Sequence, residues 1–273
     1  MQVAVSATDD EFARVAKAVS GIPYMSLAQG RRLFEHLQAT GAQDVLEIGT
    51  AHGVSAAYMA AAVAARAGRV TTIDHIALAH RNPSPEHVLA RAGLSDTVTL
   101  VRVPDSSYTW WLKDRVAERS DRHGNCHPVY DFCYLDGAHN WTIDGLSVIL
   151  IEKLLRPGGW LLLDDLHWTY ALGEGGSEQT SLSPAERRVP HMYAVFELLV
   201  CQHPNFSEFI EEDAKWGWAR KCSTERRYTI RMSSSWQAQI ASGALRMARR
   251  AAADVGLRLK SRPDADVVAR ARP

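Results

Sequence analysis

The chain has 273 residues, 46% of them apolar and 23% charged, enough for one large domain with a sizeable core. Its formal net charge is zero, which removes any global electrostatic case for nucleic acid or an anionic membrane as a partner. Cys126, Cys133, Cys201 and Cys222 form no C-x-x-C pair, Met1 to Asp10 show no basic-then-apolar leader, and the apolar runs are far shorter than the ~20 residues that span a bilayer, so a cytoplasmic protein is expected.

Asp9 or Asp10 is placed to cap a first helix running to about Val19, with Phe12, Val15, Ala16 and Val19 on one face. Gly21-Ile22-Pro23 breaks it, and Ser26 caps a second helix to about Ala39. Residues 1–41 read as helical cover for one edge of a sheet; the alternative is that Tyr24-Met25-Ser26 lies over a ligand mouth. Val45-Leu46-Glu47-Ile48 is a short buried strand, followed by a glycine turn, Gly49 to Gly53, and an apolar helix from Val54 to about Ala65. Further strands are expected at Arg69–Asp74, Val98–Val103, Tyr130–Asp136 and Trp160–Asp165. Helices fall between them at Pro83–Gly93, Tyr108–Glu118 and Ile143–Leu155, the last stopped by Arg156-Pro157-Gly158-Gly159.

Ala171 to Pro190 is a long loop rich in Gly, Ser and Glu, which reads as a substrate lid. His191–Cys201 reads as a helix, and Phe206–Glu211 and Trp216–Cys222 as two strands. From Ser233, Trp236, Ile240, Met247, Ala251 and Val255 keep helical spacing, and a polar tail follows Gly256. The division expected is therefore 1–41, a main domain over 42–232, and a C-terminal helix and tail over 233–273.

Strand–helix alternation with short loops implies an α/β, doubly wound, mostly parallel sheet. Ligands in such sheets bind beyond the carboxyl ends of the strands. Asp74, Asp136, Asp164 and Asp165 all stand at predicted carboxyl ends, with Glu47 just inside one. A dinucleotide site would show G-x-G-x-x-G. The turn here is Glu-x-Gly-x-x-x-Gly, and Glu47 suits a cationic ligand better than a pyrophosphate.

Glu47-Ile48-Gly49-Thr50-Ala51-His52-Gly53, Asp74, Leu135-Asp136-Gly137-Ala138-His139 and Asp164-Asp165 resemble the motifs of class I S-adenosylmethionine-dependent methyltransferases. Within that class they are similar to the metal-dependent O-methyltransferases of catechol and macrolide-sugar type, over about residues 24–168. The resemblance implies a seven-stranded Rossmann-like sheet whose last strand is inserted antiparallel. It implies that Gly49, Ala51 and Gly53 admit the methionine part of the cofactor, with Glu47 near its ammonium and Ser55 near its carboxylate. Asp74 would bind both ribose hydroxyls, His75 would border the adenine, and Asp105 and Ser106 would lie near its amine. Met25 and Ser26 resemble the segment that closes over the methionine end.

Asp136, Asp164 and Asp165 are the expected ligands of Mg²⁺ or another divalent cation, and Asp136 also borders the cofactor. His139 is the candidate general base; the alternative is that it caps the next helix or orients Asp136. Trp141, Trp168 and Tyr170 are candidate walls of the acceptor site, although core packing would serve them as well, and His167 is a candidate substrate contact whose alternative is a supporting or surface role. His123, Cys126 and His127 fit no standard metal spacing and read as a solvated loop. The function expected is methyl transfer from S-adenosylmethionine to a hydroxyl of a sugar or phenolic small molecule. A metal-independent methyltransferase and a non-catalytic cofactor-binding protein are the alternatives. Partners expected are the small substrate and, from the resemblance, a second copy in a dimer or larger assembly, with neither nucleic acid nor membrane.

Overall fold

Apolar runs flanked by glycine, proline and acidic residues build the strands, and longer apolar stripes build the helices that cover them. The computed structural model describes residues 7–78, 80–173 and 181–225, with Met247, Arg250 and Ala251 beyond them. In chain order these are α1 (Ala7–Val19), α2 (Leu27–Thr40), β1 (Asp44–Ile48), α3 (Val54–Ala64), β2 (Arg69–His75), α4 (Pro85–Arg91), β3 (Val98–Val103), α5 (Thr109–Glu118) and β4 (Tyr130–Leu135). There follow α6 (Trp141–Leu154), β5 (Leu155–Leu163), α7 (His191–Ala194), β6 (Phe206–Glu212) and β7 (Trp216–Lys221).

The strands form one seven-stranded sheet in the order β3-β2-β1-β4-β5-β7-β6. β1 to β5 are parallel, and β7 enters antiparallel between β5 and β6. This is the Rossmann-like methyltransferase arrangement expected. Side chains alternate across the sheet. Val45 packs with α1, α2 and α3, whereas Leu46 and Ile48 pack with α5, α6 and α7. Two cores result, one on each face.

Local differences have local causes. α1 begins at Ala7, so Asp9 and Asp10 lie in its first turn, where their charges favour the helix N-terminus, and neither is its cap. Ser26 does cap α2, in a reciprocal box with Gln29. β5 starts at Leu155, before the Pro-Gly-Gly stop, because Leu155 already pairs with Tyr130; the register then shifts between Tyr130 and Phe132. The expected helix over His191–Cys201 is α-helical only to Ala194 and continues in π geometry over Val195–Val200.

The chain divides into two compact units, Met1–Glu225 and Arg226–Pro273. In the second, Met247, Arg250 and Ala251 are helical; the rest of the helix and tail expected from Ser233 lies outside the described residues. Residues 174–180 of the expected lid also lie outside them. No helix among the described residues is long and apolar enough to cross a membrane.

Candidate functional site

β1 ends at Ile48, and Gly49 turns the chain with φ +95°. A Cβ on Gly49 would stand 1.8 Å from the Asp136 carbonyl oxygen, so the end of β4 itself demands glycine here. Asp74, near the end of β2, ties the turn down. Its Oδ2 accepts from the Thr50 and Ala51 amides at 3.1 and 3.0 Å, and its Oδ1 from the His75 amide at 2.8 Å. Three of the roughly four lone-pair sites of the carboxylate are thereby used.

Glu47 and Ser55, expected beside the methionine ammonium and carboxylate, are hydrogen-bonded to each other. Glu47 projects from β1 toward α3, fully buried, and accepts hydrogen bonds from the Ser55 and Thr72 hydroxyls. Burial pushes its pKa up to about 8; the two hydroxyl bonds pull the other way, and Asp136 and Asp74 add to the rise. The polar pair is satisfied within the fold.

The segment from Asp136 to Asn140 is braced from below. Asn140 caps α6 by accepting from the Thr142 and Ile143 amides. Buried Asp144 accepts from the Asn140 amide at 2.7 Å and from the Tyr108 hydroxyl. The Tyr108 oxygen accepts from the Ala138 amide at 3.0 Å, and the Tyr170 hydroxyl donates to the Ala138 carbonyl at 2.6 Å. This scaffold holds His139 in the left-handed region, with φ 53°. Its Nε2 lies 3.1 Å from Asp136 Oδ1 and 3.5 Å from Asp165 Oδ2. Burial alone would lower the imidazole pKa. The Asp136 hydrogen bond and the charges of Asp136, Asp165 and Asp144 outweigh it and raise the value to about 9.

Asp136, His139 and Asp165 each offer one donor atom, and these atoms lie within 4.8 Å of one another. Two oxygens and one nitrogen in that span suit a single divalent cation. Asp164, expected as the third carboxylate ligand, stands outside this trio. It is 2% exposed, bonded by the Tyr134 hydroxyl and by the Asp165 amide. Burial, then the neighbouring charges of Asp136 and Asp165, lift its pKa to about 7. The third donor atom of the trio comes from His139 instead. Lys215 completes the cluster, with Nζ 2.8 Å from Asp165 Oδ1 and 3.5 Å from Asp164 Oδ1.

A cavity of about 720 Å³ joins the two groups of residues, a size ordinary for a cofactor site. Gly49, Ala51, Asp74, His75 and Ser106 line one part, and Asp136, His139, Asp164, Asp165 and Trp168 another. Gly53, Ser55, Glu47, Met25, Ser26 and Asp105 do not line it. Gly53 starts α3 against Pro85, Met25 packs on the core, and Ser26 serves as the cap of α2. Trp141 and His167 also stand away from the cavity, His167 bonding Glu211 at 2.7 Å. Tyr24, from the segment read as lying over the mouth, and Tyr170, a candidate wall of the acceptor site, also line it, whereas Arg81, Tyr108 and Lys215 line it without having been singled out by motif.

Residues 46–166 match the family model described as Methyltransferase domain. The chain is similar to the O-methyltransferase from Bacillus cereus in complex with SAH, with TM-score 0.54, 20% identity, and 81% of this chain and 93% of that one covered. It is similar to the O-methyltransferase TomG from Streptomyces achromogenes, involved in tomaymycin synthesis and in complex with SAM, with TM-score 0.52, 20% identity, and 79% and 91% covered. It also resembles the SAH-bound methyltransferase PaMTH1 from Podospora anserina, with TM-score 0.56, 14% identity, and 80% and 89% covered. No curated protein matches the chain by sequence. Residues 46–166 are thus similar to a methyltransferase domain, and the chain shares the fold of the O-methyltransferase structures it resembles.

Proposed function

We propose that the chain transfers the methyl group of S-adenosylmethionine to a hydroxyl of a small molecule. The observation that carries this reading is one cavity lined both by the glycine turn with Asp74 and by Asp136, His139 and Asp165. Gly49, with no side chain, and Ala51, with a single methyl, leave room for the methionine part. Asp74 Oδ1 keeps room for one more donor, which suits a single ribose hydroxyl rather than the bidentate pair expected. His75 and Ser106 border the adenine end.

Asp136 and Asp165 would hold a divalent cation such as Mg²⁺, with acceptor and water oxygens completing the set and His139 left free as the base. That cation would polarise the acceptor hydroxyl as a Lewis acid. Trp168, whose ring centre is 5.4 Å from that of His139, supplies an aromatic wall for the acceptor. The acceptor oxygen bonds the methyl carbon as the carbon–sulfur bond breaks, leaving S-adenosylhomocysteine, and the hydroxyl proton passes to His139 Nε2. Orientation does most of the work, because the sulfonium is already a good methyl donor. His139 must be neutral to take that proton. In the cluster as it stands its raised pKa keeps it protonated near neutrality, so neutralising Asp136 and Asp165 is what frees it.

The test is incubation with methyl-labelled S-adenosylmethionine and a panel of hydroxylated sugars and phenols, with Mg²⁺ or with chelator. Label should appear on an acceptor oxygen only with Mg²⁺. Transfer that survives chelation would support the metal-independent alternative, and S-adenosylmethionine binding without transfer to any acceptor would support a non-catalytic protein. His139→Ala should lower kcat by about 10²–10⁴-fold with S-adenosylhomocysteine affinity intact. Unchanged kcat would remove the base assignment.

A further inference from the structure

We propose that Lys215 is the resident cation of the acidic cluster, and that a divalent metal binds there only by displacing it. The inference rests on the metal-assisted reading above and concerns what that metal must compete with. Lys215 Nζ already occupies Asp165 Oδ1 at 2.8 Å, on one of the two carboxylates that would hold the metal. It reaches Asp164 Oδ1 at 3.5 Å as well, so one ammonium spans both consecutive acids. A metal ion and an ammonium at that range repel each other, and a half-buried site screens the repulsion poorly.

The placement is built into the backbone. Asp213 and Ala214 have φ 55° and 52°, and the Lys215 amide donates to the Glu212 carbonyl at 3.1 Å, which closes a tight turn between β6 and β7. The Leu166 amide then donates to the Lys215 carbonyl at 2.9 Å, locking this turn beside the end of β5. The backbone is held, but the four-carbon stem is free to swing. Lys215 also lines a second groove, with Arg32, Glu212 and Asp213. An ammonium that leaves Asp165 meets the Asp213 carboxylate there, while Glu212 is already bonded by Arg32 and the Trp218 indole. Lysine thus offsets Asp164 and Asp165 when the cluster is metal-free, and the metal takes over that charge when it is loaded.

Mn²⁺ is the probe. It is titrated into wild type, Lys215→Met and Lys215→Arg by calorimetry and by the loss of its free electron-spin signal. Lys215→Met should bind Mn²⁺ about tenfold or more tighter than wild type, the size of effect a residue bonded to a ligand commonly has. Lys215→Arg should bind it no tighter than wild type, since a guanidinium holds carboxylates at least as well. Independently of any variant, Mn²⁺ should raise acetylation of Lys215 by acetic anhydride in the unaltered protein, read by peptide mass spectrometry. Equal or weaker Mn²⁺ binding by a Lys215→Met protein that still binds S-adenosylhomocysteine, or Lys215 labelling that Mn²⁺ leaves unchanged or reduces, overturns the proposal. Failure of wild type and Lys215→Met alike to bind Mn²⁺ also overturns it, and methyl transfer without metal would then leave the methyltransferase reading standing. Wild type that binds Mn²⁺ but no S-adenosylhomocysteine would remove that reading while the Mn²⁺ comparison still decides the role of Lys215.

Discussion

Lys215 Nζ stands 2.8 Å from Asp165 Oδ1 across fifty residues of chain. The contact exists because β7 runs antiparallel to β5, with Leu163 opposite Gly217. The first residues of β7 are thereby laid against the carboxyl end of β5, where the parallel strands gather their acids. A parallel β7 would carry that lysine toward the opposite end of the sheet.

Asp165 is the common partner of Lys215 and of the cation trio. Asp165→Asn removes its charge while keeping its shape. Divalent cation affinity should fall by about 10–100-fold or more, at least the loss seen when a ligand's own supporting partner is removed. S-adenosylhomocysteine affinity should change little, because the glycine turn and Asp74 are untouched. Calorimetry with Mn²⁺ and with S-adenosylhomocysteine, in separate titrations, checks both halves.

The cluster also sets a pH dependence for the metal-free protein. His139 is raised from 6.5 to about 9, so its contribution to stability is full below pH 6.5 and is lost as pH rises through 9. Asp164 is raised from 3.8 to about 7, so its protonated form is favoured on folding and stability drains as pH rises through 7. Both slopes have the same sign. Tm of the metal-free protein should decline from mildly acid to alkaline pH, and His139→Gln should flatten the upper part of the decline. A level or rising wild-type Tm between pH 6.5 and 9 would contradict the pairing of His139 with Asp136.

Gly49→Ala should be strongly destabilising. The new Cβ would meet the Asp136 carbonyl oxygen at 1.8 Å, and φ is +95°. Overpacking costs about 1–3 kcal/mol, and the left-handed backbone adds about 1–2 kcal/mol for a residue with a Cβ. Chemical denaturation measures the sum. A loss under about 1 kcal/mol would mean that β1 and β4 do not close on each other as described.

Asp74→Asn and Glu47→Gln separate the two acids beside the turn. An amide at position 74 turns a donor toward backbone N–H groups and leaves buried donors unpaired, at about 1–3 kcal/mol. Both Tm and S-adenosylhomocysteine affinity should drop. Glu47 is raised to about 8 and is largely protonated near neutrality, so glutamine is a close replacement there. Glu47→Gln should alter S-adenosylhomocysteine affinity by less than about threefold, under the ~1 kcal/mol of one ordinary hydrogen bond. A tenfold loss would restore Glu47 to the methionine ammonium.

Much of this protein is written in short-range pattern. Apolar runs of four to six residues, a glycine turn and acids at strand ends are local features, and β1, β3 and the Ser26 cap follow from them almost residue for residue. The same local logic placed Asp74, Asp136, Asp164 and Asp165 at one end of a parallel sheet. It had no means of saying which oxygens face the cavity. Glu47 lies one residue from Ile48 in a strand, and strand alternation turns it into the α3 core, where Ser55 and Thr72 consume it. Asp164 and Asp165 are adjacent in sequence and both line the cavity, yet one is bonded by Tyr134 and the other, with φ 52°, joins Asp136 and His139 in the donor trio. Tyr108, Tyr170 and Lys215 reach the site from α5's start, the loop after β5 and an antiparallel hairpin, contacts that depend on how distant elements pack. The sheet, the turn and the end where ligands bind are legible in the residues because they rest on periodicity and turn chemistry, which are local. Which carboxylates meet His139 and Lys215 emerges only on folding, because side-chain direction and antiparallel insertion are set by packing across the whole sheet.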